Sequence, residues 1–318
     1  MLYRCAVLDD YQNVAMSFAD WSKLKGDVEV TVFNKGLGDL NAVAQALQGF
    51  QIVCAMRERT PFPRALLEKL PDLKLLVTTG LKNASIDVAA AKERGVLVCG
   101  TESLGYPTAE LTIGLLVSLA RRISFESARM KAGEAWQVTV GGDLHGKTLG
   151  VLGLGRLGSR VAKVAKALDM KVVAWSQNLT PEKCAELGVE YATKEELLKQ
   201  SDFVTIHMVL SPRSKGLIAA REFGLMKKSA YLINTSRGPI VDENAMIDAL
   251  TNKTIAGAGL DVYDTEPLPK GHPLRSLPNV LLTPHLGYVT RDNYRLFYGQ
   301  TVEAIRAWLD GKPVRVIS

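Results

Sequence analysis

Short apolar runs alternate with segments of helical periodicity along most of this 318-residue chain. The apolar runs have little polar interruption and are too short to be helices, so they predict strands that are buried on both faces. The segments between them repeat their apolar residues at the spacing of an amphipathic helix. Because strands alternate with helices throughout, we expect an α/β fold with parallel sheets covered by helices on both faces.

The pattern predicts the bounds of each strand and helix. The predicted strands are Arg4–Leu8, Val28–Phe33, Ile52–Met56, Lys74–Thr78, Val96–Cys99, Leu149–Leu152, Lys171–Trp175, Phe203–Met208, Ala230–Asn234, Ile255–Leu260 and Val280–Leu282. The predicted helices are Val14–Leu24, Asn41–Leu47, Phe62–Leu70, Ile86–Arg94, Thr108–Arg121, Ser124–Lys131, Arg156–Asp169, Pro181–Leu187, Lys194–Gln200, Ala219–Met226, Glu243–Thr251 and Asp292–Leu309. The length of the chain favours two domains. We expect Pro313–Ile317 to return to the first of them as an extended segment.

A glycine-rich stretch lies between the strand Leu149–Leu152 and the helix that begins at Arg156. Gly153 would allow a sharp turn, Gly155 would let the backbone approach a pyrophosphate, and Gly158 would let the helix pack close to the strand. The first N–H groups and the dipole of the helix would then face the phosphates. A turn without a ligand is the alternative, but the strand before and the helix after favour a dinucleotide site.

Three later strands end in polar residues that suit catalysis. Arg237 follows one strand, Asp261 and Glu266 follow the next, and His285 follows the last. Ligands of open parallel sheets bind beyond the carboxyl ends of the strands, so these side chains are expected at one edge, near the nicotinamide end of a dinucleotide. Taken alone, Arg237 suits a surface ion pair and Glu266 an ordinary loop carboxylate. His207 is expected to support packing, and His145 and His272 to lie in solvated loops.

Composition narrows the class of protein. The net charge is +6, but 39 basic residues are scattered among 33 acidic ones without a run, so we expect no nucleic-acid partner. The most apolar run, Leu111–Ala120, is far shorter than the roughly 20 residues of a membrane span, and no signal peptide is recognisable. A cytoplasmic protein is therefore expected. The four cysteines lack C-x-x-C spacing and predict buried thiols, with neither disulfides nor a metal site.

The sequence resembles the D-isomer-specific 2-hydroxyacid dehydrogenases over essentially its whole length. The matching motifs are Gly153–Gly158, Leu225–Asp242, Gly259–Pro267 and Thr283–Gly287. The resemblance implies two doubly wound domains: a flavodoxin-like substrate domain of residues 1–100 and 289–318, and an inserted Rossmann domain of residues 101–288. It also implies a dimerisation arm at about 108–142, and hence a homodimer. The apolar positions Leu111, Leu115, Leu116 and Leu119 of that arm otherwise need another cover.

The resemblance also implies residue roles. His285 would exchange a proton with a small 2-keto or D-2-hydroxy acid, Glu266 would orient it, and Arg237 would hold the substrate and stabilise developing negative charge. The backbone N–H groups of Gly80 and Leu81 would bind the substrate carboxylate. Apart from the resemblance, Arg57 follows a predicted strand of the first domain and is a further candidate for substrate binding, with a surface position beside Arg59 as the alternative. The expected cofactor contacts are Gly153, Gly155, Arg156, Leu157, Gly158, Ser176, Gln177, Asn178 and Asp261, with Asp261 binding the nicotinamide carboxamide.

Two alternatives remain open, one for the identity of the nicotinamide cofactor and one for the function. A NAD site has an acid about 20 residues beyond the glycines, to bind the ribose hydroxyls, whereas this chain has Ser176, Gln177 and Asn178 there. We therefore expect NADP in preference to NAD, although no arginine is evident to bind the 2′-phosphate. The alternative function is a dinucleotide-sensing protein like the related C-terminal-binding-protein corepressors. Formate dehydrogenases share the fold but lack the Glu266 and His285 pair.

Overall fold

The computed structural model describes residues 2–317, which fold into two compact units. The first unit extends to Leu104 and resumes at Thr290, and the second is Gly105–Val289. Each unit is built on a parallel sheet, of five strands in the first and seven in the second. The prediction of two α/β units with parallel sheets is therefore confirmed.

Strands and helices alternate through both units. The strands are β1 (Tyr3–Val7), β2 (Val28–Val32), β3 (Ile52–Ala55), β4 (Leu75–Thr78), β5 (Leu97–Gly100), β6 (Thr148–Leu152), β7 (Lys171–Trp175), β8 (Glu190–Tyr191), β9 (Phe203–Ile206), β10 (Tyr231–Asn234), β11 (Gly257–Leu260) and β12 (Val280–Leu282). The α-helices are α1 (Ala15–Phe18), α2 (Leu40–Ala46), α3 (Arg64–Leu67), α4 (Val88–Glu93), α5 (Pro107–Arg121), α6 (Ile123–Lys131), α7 (Arg156–Ala167), α8 (Pro181–Glu186), α9 (Lys194–Gln200), α10 (Ala220–Leu225), α11 (Glu243–Thr251) and α12 (Arg291–Leu309).

The two sheets reverse their strand order in the middle. The first has the order β2-β1-β3-β4-β5 and the second β12-β11-β10-β9-β6-β7-β8. Chain direction along the sheet therefore switches between β1 and β3 in the first unit and between β6 and β9 in the second. Loops on either side of such a switch diverge and leave a crevice at the carboxyl ends of the strands, where ligands of this class of fold bind.

Apolar residues on both faces of the second sheet are buried, as the continuous apolar runs predict. Leu232 and Ile233 are neighbours in β10, yet they belong to separate core clusters on opposite faces. The α5 residues Leu115, Leu116 and Leu119 pack into one of these clusters. The expectation that this apolar face needs a cover from outside its own unit is therefore wrong for these three residues, because the unit covers them itself.

Three of the differences from the predicted elements have an identifiable physical cause. The helix predicted at Val14–Leu24 is broken, because the side chain of Asp20 accepts the N–H of Ser22 and starts a separate 3-10 helix at Trp21–Leu24. The helix predicted at Phe62–Leu70 is reduced to α3, and Pro63 stands at its N-cap. The two-residue strand β8 was not predicted, because both of its residues are exposed and form no apolar run.

The predicted return of the C-terminal segment is confirmed. Gly100 donates its N–H to the carbonyl of Arg315 at 2.9 Å, and Ile317 donates to the carbonyl of Val98 at 2.8 Å. Val316 thereby forms an antiparallel bridge with Cys99 on the edge strand β5.

All four cysteines are buried free thiols, as predicted. Within residues 2–317 we find no helix with the length and apolar character needed to cross a bilayer. In the same range, no group of three or more histidine, cysteine, aspartate or glutamate side chains is arranged to hold a metal ion.

Candidate active site

The glycine loop lies at the switch point of the second sheet, between β6 and α7. Gly153 has a φ of +99°, a conformation that residues with a side chain rarely adopt, and a Cβ there would lie 2.6 Å from the carbonyl oxygen of His207 at the end of β9. A Cβ on Gly158 would collide with the carbonyl oxygen of Gly153. These two glycines therefore let the loop turn and let α7 pack against it.

The third glycine leaves open space beside the backbone. A Cβ on Gly155 would meet no atom within 4 Å, and this residue caps α7 without any side-chain hydrogen bond. The first N–H groups of the helix are therefore available to an anion, and its dipole favours one. This donor set fits the pyrophosphate of a dinucleotide. Beside it Arg156 is exposed and Leu157 half-buried, and the Arg156 side chain passes over Gly105.

The turn after β7 contains Ser176, Gln177 and Asn178, of which the last two are exposed. No acidic residue occurs in this turn, so its side chains offer hydrogen-bond donors and no negative charge. The Nε2 atom of Gln177 donates to the carbonyl oxygen of Arg213 at 3.4 Å. The turn therefore lies beside the loop that follows β9, a proximity that no sequence pattern predicts.

Glu266 and His285 are brought together by the loops after β11 and β12. The Nδ1 atom of His285 lies 2.5 Å from Oε2 of Glu266, and the other oxygen of Glu266 accepts the N–H of Tyr263 at 2.9 Å. The carboxylate is thus held from two sides, and the imidazole presents Nε2 as its second polar atom. The two side chains are 23% and 34% exposed, for His285 and Glu266, so both remain accessible to a small ligand.

Asp261 holds the backbone of the loop that carries His285. Its carboxylate accepts the hydroxyl of Thr283 at 2.6 Å and the N–H groups of Leu286 and Gly287 at 2.7 and 2.8 Å. The side chain is fully buried, and burial raises its pKa, although the hydrogen bonds from Thr283 and the Leu286 amide oppose that rise. Three acceptor positions of this carboxylate are therefore used within the chain, which leaves about one for a ligand.

Two further residues support this loop and were not singled out from the sequence. The hydroxyl of Tyr263 lies 3.0 Å from the carbonyl oxygen of Leu260 and 2.9 Å from that of Thr283, so it joins the ends of β11 and β12. The hydroxyl of Thr108 donates to the carbonyl of Gly287 at 2.9 Å. Tyr263 and Thr283 lie inside recognisable motifs, but Thr108 belongs to a distant helix and carries no local signal.

Arg237 follows β10 and is partly buried. Its Nη1 atom donates to the carbonyl of Ser236 at 2.7 Å, and its own carbonyl accepts Nδ2 of Asn234 at 2.9 Å. A Cβ on the next residue, Gly238, would collide with the backbone of Tyr263. The absence of a side chain at Gly238 therefore allows the loop of Arg237 to pack against the loop that carries Glu266.

The predicted substrate loop of the first unit needs one correction. The N–H of Gly80 donates to the hydroxyl of Thr101 at 2.9 Å, so that hydrogen is engaged within the chain. The N–H of Leu81 has no partner among residues 2–317. Nη1 of Arg57 donates to the carbonyl of Thr79 at 3.1 Å and occupies the place that a Cβ of Gly80 would take. The loop thus places the guanidinium of Arg57, whose Nε also lies 3.6 Å from Oε2 of Glu58, beside the amide of Leu81.

The remaining histidines differ in their surroundings. His207 supports packing as predicted: Nε2 lies 3.0 Å from the hydroxyl of Thr205, and Nδ1 is buried without a partner in the described part of the chain. Burial lowers the pKa of His207 to about 4. His145 is exposed, as expected, whereas His272 is not: its side chain is 15% exposed and pairs with Glu243 at 3.1 Å.

Comparisons with known proteins identify the family of the chain. The family model described as the NAD binding domain of D-isomer specific 2-hydroxyacid dehydrogenases matches residues 113–287. The chain is 39% identical over 256 residues to a glyoxylate reductase of Aeropyrum pernix, covering 78% of this chain and 76% of the relative. It is 42% identical over 238 residues to a glyoxylate reductase of Thermococcus litoralis, covering 72% of each. The crystal structure of a phosphoglycerate oxidoreductase from Vibrio cholerae o395 superposes with a TM-score of 0.93 at 33% identity, covering 98% of this chain and 100% of that one.

Proposed function

The chain belongs to the D-isomer specific 2-hydroxyacid dehydrogenase family and is a nicotinamide-dependent oxidoreductase of 2-hydroxy and 2-keto acids; we propose that His285, Glu266 and Arg237 carry its chemistry. The observation that supports these roles best is the 2.5 Å contact between Nδ1 of His285 and Oε2 of Glu266. A histidine held in this way presents its other nitrogen in a fixed orientation, which a proton donor requires.

In the reductive direction, His285 donates a proton from Nε2 to the carbonyl oxygen of the 2-keto acid as negative charge develops there. Glu266 keeps the ring oriented through Nδ1 and stabilises the positive charge of the protonated imidazole. In the oxidative direction, the neutral ring accepts the hydroxyl proton. Arg237 binds the substrate oxygens with its planar guanidinium and stabilises the developing charge. The nicotinamide, when bound, supplies or accepts the hydride.

For the substrate carboxylate we propose the N–H of Leu81 and the guanidinium of Arg57. The guanidinium is fixed by Thr79 and lies over Gly80, where only a residue without a side chain leaves it room. A fixed cation beside an available amide is suited to a carboxylate, which can accept from both. Gly80 would then act through the space it leaves and not through its own N–H.

A panel of 2-keto acids tests the proposed function. The purified protein is incubated with NADPH or NADH and with glyoxylate, hydroxypyruvate, pyruvate or a bulkier 2-keto acid, and cofactor oxidation is followed by absorbance. We expect turnover of at least one acid and its loss in His285→Gln, with His145→Gln as the control on an exposed histidine. Tight cofactor binding without turnover of any acid would contradict the proposal and favour the dinucleotide-sensing alternative.

For the cofactor we propose NADP in preference to NAD. The expected contacts are those of the glycine loop, Gly153 to Gly158, together with Ser176, Gln177 and Asn178. The turn of Ser176 lacks the carboxylate that would bind the ribose hydroxyls of NAD and repel a 2′-phosphate. Asp261 remains the proposed partner of the nicotinamide carboxamide. Tighter binding of NADH than of NADPH, measured by fluorescence quenching, would contradict the preference.

We further propose that the protein is a homodimer in which the arm contacts a second copy. Beyond α5 the arm exposes apolar side chains that its own unit leaves uncovered: Met130 is 64%, Trp136 75% and Val140 100% exposed. Such a concentration of exposed apolar residues is typical of an interface. Light scattering should give a dimer for the native chain and a monomer for Trp136→Ser with Val140→Asp. A monomeric native chain would refute this.

The four free thiols support a reducing, cytoplasmic location, which cell fractionation would test.

A further inference from the structure

Two loops of the second unit lie side by side beyond the carboxyl ends of β7 and β9. The turn Ser176–Asn178 follows β7, the second strand of the glycine-rich βαβ unit, and the loop of Arg213 follows β9. The contact between them is the hydrogen bond from Nε2 of Gln177 to the carbonyl oxygen of Arg213, at 3.4 Å. Residue 213 is therefore next to the turn that, in a dinucleotide fold, reaches the adenosine ribose.

The backbone at Arg213 is held firmly. The hydroxyl of Ser214 accepts the N–H of Ser211 at 2.8 Å and donates to the carbonyl of Val209 at 2.7 Å. The N–H of Ser214 also donates to the carbonyl of Ser211 at 3.0 Å, which closes a tight turn. Ser214 is only 2% exposed, so the turn is anchored in the unit. Arg213 is thus an exposed side chain on a fixed backbone.

The charged residues within the two loops are all positive. No acidic residue occurs between Trp175 and Pro181 or between Val209 and Leu217, whereas the second loop contains Arg213 and Lys215. Within residues 2–317 the guanidinium of Arg213 forms no ion pair and no side-chain hydrogen bond, so its charge is not neutralised. Lys215 differs, because it lies close enough to Asp264 to lower the pKa of that carboxyl group, against the larger rise from burial.

We propose that Arg213 is the residue that selects NADP, by binding the 2′-phosphate of the adenosine ribose; this inference rests on the proposed preference for NADP. A planar guanidinium is suited to a phosphate because it can donate two parallel hydrogen bonds. The amide and hydroxyl groups of Gln177 and Ser176 add neutral donors beside it. The arginine that the sequence of the turn itself lacks is thus supplied by a loop 36 residues further along the chain.

The competing interpretation is that Arg213 is a solvated surface residue without a ligand. Lys215 provides the matched control, since it lies in the same loop and has the same charge but interacts with Asp264. The dissociation constants of NADPH, NADH and adenosine 2′,5′-bisphosphate are measured by calorimetry for the native protein, Arg213→Gln and Lys215→Gln. Thermal unfolding of all three proteins confirms that they are folded.

If Arg213 binds the phosphate, Arg213→Gln should weaken the binding of NADPH and of adenosine 2′,5′-bisphosphate about tenfold or more, because a charge-assisted hydrogen bond is lost. The binding of NADH should weaken less than about twofold. Lys215→Gln should change all three by less than about twofold. Added salt should weaken NADPH binding more steeply than NADH binding in the native protein, and this difference should disappear in Arg213→Gln.

The outcomes separate the two proposals. A native protein that prefers NADPH, and an Arg213→Gln variant that keeps the same preference, would overturn the role of Arg213 and leave the preference for NADP intact. A native protein that binds NADH as tightly as NADPH would overturn both. An equal loss of NADPH and NADH affinity in Arg213→Gln would also overturn the role, because it would show that the loop, and not the phosphate contact, had changed.

Discussion

Nδ1 of His285 lies 2.5 Å from Oε2 of Glu266, although the two residues are 19 positions apart in the chain. Glu266 is held in turn by the N–H of Tyr263. The orientation of the imidazole is therefore set by the fold of two neighbouring loops and not by the local conformation of either. Its Nε2 atom is left as the position from which a proton can move.

Replacing Glu266 should impair proton transfer while leaving the protein folded. We expect Glu266→Gln to lower kcat for 2-keto acid reduction by about 10- to 1000-fold, because the imidazole loses both its orientation and the negative charge that stabilises its protonated form. KM for the 2-keto acid should change less than kcat, because Glu266 acts through His285 and does not itself bind the substrate. Asp264→Asn is the matched control. A kcat for Glu266→Gln within about threefold of the native value, or an equal change in KM, would contradict the positioning role.

The role of Arg237 in catalysis is expected to require its planar guanidinium group and not only its positive charge. Arg237→Lys keeps the positive charge but loses the planar fork, so kcat/KM should fall about 100- to 1000-fold. Arg221→Lys, on the exposed surface of α10, should have little effect. Steady-state kinetics with the best 2-keto acid provides the measurement. A loss of less than about threefold in Arg237→Lys would exclude a bidentate contact with the substrate.

A carboxylate at position 176 should reverse the cofactor preference. In Ser176→Asp the new carboxylate would accept hydrogen bonds from ribose hydroxyls and repel a 2′-phosphate, so NADPH should bind at least about tenfold more weakly and NADH more tightly. Thr180→Asp is the control, because it adds the same negative charge at the N-cap of α8, a position that aspartate also suits. This variant should change the affinity for neither cofactor by much. Unchanged NADPH affinity in Ser176→Asp would show that the ribose does not approach this turn.

His207 should make the stability of the protein depend on pH. Its pKa is about 4 in the folded chain and 6.5 ordinarily, so between these values the unfolded chain binds more protons. The free energy of unfolding should therefore be highest above pH 6.5 and fall by about 2 kcal/mol towards pH 4, less than the full shift would give because the residue is partly exposed. In urea titrations His207→Gln should lose this slope and exposed His145→Gln should keep it. The same slope in both variants would rule out His207 as its source.

Much of the fold was predictable because apolar periodicity dominates wherever a strand or helix buries one or both faces. The strands β6, β7 and β10 and the helices α9 and α11 follow the predicted bounds closely. The prediction fails where polar contacts decide the conformation, as at Asp20, whose side chain starts a new turn. It also fails at β8, where exposed residues pair only because a neighbouring strand is present.

The candidate site was predictable in its residue types but not in its contacts. The glycine spacing and the polar residues at strand ends identify Gly153 and His285 from the sequence alone. The engagement of the Gly80 N–H with Thr101, and the position of Arg213 beside Gln177, depend on segments that are distant in sequence. Sequence periodicity reports which face a residue occupies and contains no information on which loops meet at the end of a sheet.

The pairing of residues 315–317 with β5 has a consequence for the order in which the protein can assemble during synthesis. The strands β1 to β5 leave the ribosome first, yet their unit also requires α12 and the segment that follows it. The second unit is continuous in the chain, so it can complete its own core while the first still waits for its last helix. Throughout that interval the edge of β5 stays open and Cys99, buried in the finished unit, lacks part of its cover. The first unit is therefore completed only after the second unit has been synthesised.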